Sequence, residues 1–113
     1  MITKIRKRDG REIYFAPEKI TRAIFLAASK VAEDEGQVAN YATAEQLTDQ
    51  VVNYLNRHYQ DGIPTVEEIQ DAVVKILIEC GHAKTSEAYI LYRAERSRIR
   101  NMKTRLMQYI REI

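Results

Sequence analysis

The residues best placed to bind a ligand lie among the first twenty, around Lys7-Arg8-Asp9-Gly10. Cations occur at Lys7, Arg8 and Lys19, and such groups form strong charge-assisted hydrogen bonds with phosphate oxygens. Aliphatic and aromatic side chains alternate with these cations and could hold a base or ribose. From these residues alone, an ordinary surface hairpin with a lysine that reaches to water remains an open alternative.

The Asp-Gly pair at residues 9–10 predicts a β-hairpin between two short extended runs, residues 2–7 and 11–15. Glycine favours such turns because it adopts positive φ without a Cβ clash. The loop has either two residues or three, 9–11. A hairpin of this size is not stable alone in water, so we expect its apolar face to cover the end of a larger structure.

The register of this hairpin decides which side chains share a face. A two-residue loop would pair Ile5 with Tyr14. The three-residue loop pairs Ile5 with Phe15 and Lys7 with Ile13, and we favour it because strand alternation then collects the apolar side chains on one face. The ammonium group of Lys7 falls within that face, where it needs an anion or a route to water.

Hydrophobic periodicity predicts four amphipathic helices after the hairpin. The first spans residues 17–34, and the second begins at an N-cap formed by Thr43. The third begins at an N-cap formed by Thr65 and stops at Gly81, and the fourth opens at residue 85 or 86. The expected fold is mainly α (α+β), a four-helix bundle capped by a small antiparallel hairpin.

The fourth helix is expected to run to the end of the sequence with one apolar stripe among basic residues. The stripe comprises Ala88, Leu91, Tyr92, Ile99, Met102, Leu106, Tyr109, Ile110 and Ile113. Because the stripe still runs at Ile113 and no capping signal follows, we expect this sequence to be the first domain of a longer protein, with residues 1–96 as the domain proper. Residues 97–113 would then be a helical extension that leads toward a further domain.

Charge is distributed unevenly along the 113 residues, although the net charge is only +2. Residues 1–19 hold six Lys or Arg against three acids, residues 84–113 hold eight against three, and residues 20–83 hold four against ten. If the fold brings the two basic ends together, they form a cationic surface suited to a polyanion.

The composition excludes several classes of protein. No apolar run approaches the roughly 20 residues of a membrane span, and a signal-peptide core is missing. A single cysteine, Cys80, excludes an internal disulfide and a cysteine-rich zinc site, and favours a cytoplasmic location. His58 and His82 have no partners at metal-ligand or catalytic spacing, so we expect neither a metal site nor catalytic residues.

The arginine-rich fourth helix supports a different interpretation, a basic helical module that binds nucleic acid. Contacts would then involve Arg98, Arg100 and Arg105. Acids at Glu87 and Glu95 interrupt the basic run, so nucleic-acid binding is the lesser alternative.

Several blocks, in order, resemble the ATP-cone domain across residues 3–94. They are Ile5-x-Lys7-Arg8-Asp9-Gly10, Phe15-x-Pro17-x-Lys19-Ile20, Ala23-Ile24, Thr65-Val66-Glu67-Glu68-Ile69-Gln70-Asp71-x-Val73 and Ala88-Tyr89-Ile90-x-Tyr92-Arg93. The resemblance implies a four-helix bundle with a β cap, as the periodicity also predicts. It further implies a regulatory domain at the N-terminus of a ribonucleotide reductase, with no catalysis of its own.

The resemblance also implies ligands and partners. ATP or dATP would act as the allosteric effector, with Mg²⁺ held through the phosphates. The partners would be adenine nucleotides, the catalytic domain of a parent ribonucleoside-triphosphate reductase, and further copies in an effector-dependent homo-oligomer; no membrane partner is implied. The start and long tail look most similar to the anaerobic, glycyl-radical class.

Residues carried over from the family motifs form the expected nucleotide site. They comprise cap positions, basic positions that would meet phosphates, the third-helix block and weaker arginine matches on the last helix: Ile5, Lys7, Arg8, Ile13, Phe15, Lys19, Ile20, Thr65, Gln70, Arg93, Arg96 and Arg100. Two related alternatives stay open, a transcriptional repressor and a degenerate cone used only for assembly. The repressor branch carries a four-cysteine zinc ribbon that is missing here.

Overall fold

A computed structural model describes residues 1–112 of the chain. Two strands precede four helices, and the element bounds are β1 (Lys4–Arg6), β2 (Glu12–Tyr14), α1 (Pro17–Asp34), α2 (Tyr41–Tyr59), α3 (Val66–Glu79) and α4 (Ala83–Glu112). The helices pack as α1 with α2, α2 with α3, α3 with α4 and α4 with α1, which closes a bundle. The predicted mainly α fold with a small antiparallel hairpin is confirmed.

The hairpin register differs from both registers considered for it. Ile5 pairs with Ile13, and the loop consists of residues 8–10. The Gly10 amide donates to the Lys7 carbonyl oxygen at 2.9 Å, and Gly10 has φ of 89°. The loop is therefore a turn followed by a left-handed residue, and only glycine enters that last position without strain.

The predicted division of hairpin side chains between two faces is nevertheless correct. The observed register is shifted by two residues from the favoured one, and side chains alternate with a period of two. Ile5 and Ile13 are half-buried, whereas the strand residues that flank them are exposed. Ile5 and Phe15 pack against the bundle core, so the hairpin covers one end of the bundle.

The segment between α2 and α3 holds the hairpin in place. The Arg6 amide donates to the Pro64 carbonyl oxygen at 2.9 Å, and a parallel bridge joins Arg6 to Thr65. The Ile2 amide donates to Asn56 Oδ1 at 3.0 Å, and the Ile2 side chain is buried in the core. The hairpin is thus joined to the bundle both by backbone hydrogen bonds and by the buried side chain of Ile2.

Two predicted helix starts are wrong. The N-cap of α2 is Asn40, whose Oδ1 accepts from the Ala42 amide at 2.8 Å, and Thr43 lies within the helix. Asparagine is the stronger N-cap of the two, which accounts for the earlier start. The α4 helix begins at Ala83, because the chain re-enters a helix directly after the left-handed Gly81.

The start and end of α3 are as predicted. Thr65 Oγ1 accepts from the Glu68 amide at 3.1 Å, while the Thr65 amide donates to Glu68 Oε1 at 3.0 Å. This reciprocal pair is a capping box. Cys80 is the C-cap, and Gly81 follows with φ of 82°.

The face of α4 that enters the core coincides with the predicted stripe only in part, at Ala88, which packs against the core. Thr85, Ser86 and Tyr89 are buried, whereas Leu91 is 66% exposed. Thr85 and Ser86 are polar, so a hydrophobicity pattern does not identify them as core positions. Residues 98–111 are exposed, and Ile113 lies outside the described residues. In the described part of the chain, none of the helices has the length and apolarity to cross a membrane.

Candidate functional site

A cleft of about 650 Å³ lies between the hairpin and one end of the bundle. The hairpin forms one wall, the first turns of α1 and α3 form the floor, and α4 forms the opposite wall. Residues from both ends of the sequence therefore meet at one place. The expected joining of the two basic ends occurs here.

The inner part of the cleft is apolar. Ile5, Ile13 and Phe15 line it from the hairpin, and Ile20 and Tyr89 line it from α1 and α4. Burial raises the pKa of the Tyr89 phenol to about 12, so the ring is neutral at physiological pH. This surface could hold a flat, weakly polar group.

Gln70 is a polar residue in the lining of the cleft. Its Oε1 atom is buried and has no hydrogen-bond partner within the described structure. A buried acceptor without a donor is costly, and such atoms are rare in folded proteins. The Gln70 amide is therefore the cleft group most in need of a ligand.

The outer part of the cleft is strongly basic. Seven cations line it: Lys7, Arg8, Arg11, Lys19, Arg93, Arg96 and Arg100. Asp9 is the one carboxylate among the described lining residues, and Arg11 Nε donates to it at 2.6 Å. Hydrogen bonds from the Arg11 backbone amide and then its side chain lower the pKa of Asp9. The lining thus keeps a large excess of positive charge.

Arg8 joins three elements at the mouth of the cleft. Its Nε donates to Glu67 Oε1 on α3 at 2.7 Å, and its Nη2 donates to Ser97 Oγ on α4 at 3.1 Å. A hydrogen bond from its own backbone and then the bond from Arg8 lower the pKa of Glu67, which is ionised at neutral pH. The guanidinium of Arg8 is therefore held in one orientation.

Two arginines of α4 are also held by neighbours. Arg93 Nη1 donates to Asp71 Oδ1 on α3 at 3.3 Å, and Arg93 has a side chain only 25% exposed. Arg96 lies over the ring of Tyr92 at 5.8 Å from its centroid, a cation–π arrangement. Both arginines thus project from a rigid helix face.

Eleven of the twelve residues expected at a nucleotide site line this cleft. The exception is Thr65, whose described role is the N-cap of α3; its predicted contact with a nucleotide is not tested. Lys7 lines the cleft and is exposed, so its ammonium group reaches water even though the residue shares a face with Ile5 and Ile13.

Several lining residues were not foreseen. They include Arg11 on the hairpin and a row on α4 that comprises Tyr89, Tyr92, Ser97, Asn101 and Thr104. The signal that could have found the row is helical spacing, because residues 93, 97, 100, 101 and 104 share one face. By contrast, Arg98 pairs with Glu95 at 2.6 Å and does not line the cleft.

The histidines have structural surroundings. His58 stacks on Tyr54 with centroids 5.4 Å apart, and His82 lies at the start of α4, where its carbonyl accepts from the Ser86 amide. Within residues 1–112, no three His, Cys, Asp or Glu side chains converge as metal ligands.

The chain matches known proteins that are named as reductases of ribonucleoside diphosphates or triphosphates. It is 39% identical over 108 residues to the vitamin B12-dependent ribonucleoside-diphosphate reductase of Thermoplasma acidophilum, which covers 91% of this chain and 13% of the relative. It is 33% identical over 99 residues to the ribonucleoside-diphosphate reductase subunit alpha of Chlamydia muridarum, and this match covers 84% of the chain and 10% of the relative. It is 33% identical over 111 residues to the anaerobic ribonucleoside-triphosphate reductase of Salmonella typhimurium, and this match covers 98% of the chain and 14% of the relative.

These relatives are ribonucleotide reductases, and they include the anaerobic kind favoured from the sequence together with two other kinds. The chain spans only a small part of their length. The model of the ATP cone domain matches residues 3–98, which is most of the chain. ATP cones are regulatory domains that bind ATP or dATP as effectors. With its bundle, hairpin cap and basic cleft, this chain belongs to the ATP cone domain family.

Proposed function

We propose that the cleft binds ATP and dATP, with the base on the apolar inner surface and the phosphates among the outer cations. The observation that carries this proposal is the meeting of an apolar surface and seven cations in one cleft. A nucleoside triphosphate has the complementary chemistry, a flat base joined to a polyanion. Mg²⁺ would enter with the phosphates, which supply the oxygen ligands that it prefers.

The cations come from both walls and from the floor of the cleft. Lys7, Arg8 and Arg11 would approach the phosphates from the hairpin, and Lys19 would approach them from the first turn of α1. Arg93, Arg96 and Arg100 would approach from α4. Charge-assisted hydrogen bonds from opposite walls would then close the cleft around the ligand.

Gln70 supports a preference for adenine. Its side chain lines the cleft, and a rotation of the amide would bring the buried Oε1 atom to the exocyclic amino group of adenine as a hydrogen-bond acceptor. On the edge that carries N7, guanine presents two acceptors where adenine presents one acceptor and an amino donor, so guanine bound by that edge would leave the Gln70 acceptor unpaired. The proposed site therefore binds adenine nucleotides more tightly than guanine nucleotides.

The proposed role of binding is allosteric control of a ribonucleotide reductase, in which residues 1–96 form the regulatory domain and have no catalysis of their own. The similarity to three kinds of reductase supports this context. The effector would act by changing the assembly of subunits into homo-oligomers. Such control requires ATP and dATP to bind unequally to at least two assembly states.

Isothermal titration calorimetry of the 113-residue chain with ATP, dATP and GTP, each with magnesium, tests the binding proposal. We expect both adenine nucleotides to bind and GTP to bind at least tenfold more weakly. Gln70→Leu should remove most of the preference for adenine, because it removes the acceptor. The absence of heat from ATP and dATP, at concentrations where the chain is folded, would refute nucleotide binding.

A further inference from the structure

Two carboxylates one helical turn apart on α3 each hold an arginine of the cleft. Glu67 Oε1 accepts from Arg8 Nε at 2.7 Å, and Asp71 Oδ1 accepts from Arg93 Nη1 at 3.3 Å. Arg8 comes from the hairpin loop and Arg93 from α4, so the two arginines belong to opposite walls. The first two turns of α3 are their common anchor.

The hydrogen bonds of Arg8 leave part of its guanidinium available. A guanidinium carries five N–H donors. Glu67 takes the donor on Nε, and Ser97 takes one of the donors on Nη2. Three donors on the terminal nitrogens remain, and they form the end of the group that can meet two oxygens of one phosphate. The Glu67 carboxylate therefore occupies the Nε edge of the Arg8 guanidinium and leaves its terminal nitrogens available to a ligand in the cleft.

Arg93 is held in a comparable way. Its side chain is only 25% exposed, and Asp71 contacts a single terminal nitrogen. Four N–H donors stay available to a ligand. Arg93 also lies in the same wall as Arg96, one turn away on α4. A polyanion in the cleft would thus meet arginines with fixed directions from both walls.

The carboxylates have two opposing effects on an anionic ligand. Their negative charge lowers the positive potential of the cleft, which alone would weaken binding. Holding an arginine in place removes most of its rotamer freedom before the ligand arrives, which strengthens binding. The second effect dominates where the carboxylate does not block the donors that the ligand needs, and Glu67 meets that condition.

We propose that Glu67 and Asp71 are positioning residues, which hold Arg8 and Arg93 in the orientation that receives a polyphosphate. The inference rests on the proposed binding of nucleotides in the cleft. Neither carboxylate contacts the ligand itself. Both pairs join exposed or half-exposed groups, and such surface pairs contribute little to the stability of a fold. Their removal should therefore leave the bundle intact.

The test compares Glu67→Gln and Asp71→Asn with the wild type by calorimetry, using ATP and adenosine as ligands. Each substitution should raise the Kd of ATP by a factor of about 3 to 10, the effect of freeing one arginine side chain. The Kd of adenosine should stay within a factor of about two, because adenosine lacks the phosphates. Glu79→Gln is the matched control, since Glu79 pairs with Lys75 at 2.7 Å on the same helix and does not line the cleft.

A double-mutant cycle completes the test. In an Arg8→Ala background, Glu67→Gln should no longer weaken the binding of ATP, because the arginine that Glu67 holds is gone and only the loss of its negative charge remains. An unchanged or tighter affinity of Glu67→Gln for ATP would overturn the positioning role while nucleotide binding stands. An equal weakening of ATP and adenosine would also overturn it, since that result indicates a structural role. Failure of the wild-type chain to bind ATP would instead overturn the proposed function.

Discussion

The backbone amide of Arg6 donates to the carbonyl oxygen of Pro64 at 2.9 Å. This bond joins the hairpin to the segment that leads into α3. The same segment receives the N-terminus, because the Met1 ammonium pairs with Asp61 at 3.1 Å. Since the cleft lies between the hairpin and the bundle, the position of one wall depends on these contacts.

Ile2 is the apolar anchor of the hairpin, and its loss should destabilise the protein. Its side chain is 3% exposed within the core cluster. Ile2→Ala should lower the free energy of unfolding by about 2 kcal/mol, the cost of removing buried methylenes and leaving a cavity. Urea denaturation measures this change. Thr3→Ala, at the exposed next position, is the control, and an equal loss in both variants would contradict the anchoring role.

Lys7 should be the hairpin cation on which ATP binding depends most. Lys7→Ala should raise the Kd of ATP about 10- to 100-fold, because a hydrogen bond to a charged group is lost. Lys4 is the matched control, since it lies on the same hairpin but outside the cleft, at 5.8 Å from the Tyr14 ring centroid. Calorimetry with both variants checks this. If Lys7→Ala bound ATP like Lys4→Ala, the lysine would have no part in the site.

The N-cap of α2 gives a direct comparison of two candidate caps. Asn40→Ala should cost about 1 kcal/mol of stability, because the Ala42 amide loses its acceptor. Thr43→Ala should change stability by less than about 0.5 kcal/mol, since Thr43 lies inside the helix. Thermal or urea unfolding of the two variants measures both values. The reverse order of effects would show that α2 starts at Thr43.

Two tyrosines should make the fold sensitive to alkali. The pKa of Tyr59 is raised to about 12 by burial and then by its hydrogen bond to Glu68, and burial raises the pKa of Tyr89 to about 12. An unfolded tyrosine loses its proton near 10, so the contribution to stability is complete below about pH 10 and is lost as the pH rises toward 12.

Urea unfolding at a series of pH values between 9 and about 12 checks this sign. Tyr89→Phe should flatten the decline in unfolding free energy, because phenylalanine has no proton to lose. Tyr109→Phe, at a tyrosine of α4 that is 65% exposed, is the matched control. A decline in Tyr89→Phe as steep as that of the wild type would be evidence against the buried phenol as its source.

The sequence predicted those features that depend on local periodicity. The face shared by Ile5 and Ile13 was correct although the register was not, because a shift of two residues preserves alternation. The N-cap at Thr65 was predicted because a cap and the helix it starts are adjacent in the sequence, although its capping box with Glu68 was not foreseen. The first helix, residues 17–34, was predicted with its observed bounds.

What the sequence did not reveal depends on contacts between distant residues. The observed hairpin loop has three residues and ends at Gly10. The Asp-Gly pair is equally compatible with a two-residue loop, so the sequence did not decide between the two loop lengths. The buried face of α4 includes Thr85 and Ser86, which only packing against the other helices identifies as core. The pairs of Arg8 with Glu67 and of Arg93 with Asp71 join residues 59 and 22 positions apart, beyond the reach of spacing rules.

The continuity of α4 has a mechanical consequence. Tyr89 is buried in the bundle, and from there the helix continues for about 35 Å to the last described residue, at 1.5 Å per residue. A tilt of about 10° around that fixed point would move the far end by about 6 Å, because the helix is rigid over such a length. Arg93, Arg96 and Arg100 lie on the cleft side of this lever, in the half that is nearer to its pivot. A small change in the tilt of this wall of the cleft would therefore be magnified into a displacement of several ångströms at the exposed end of α4.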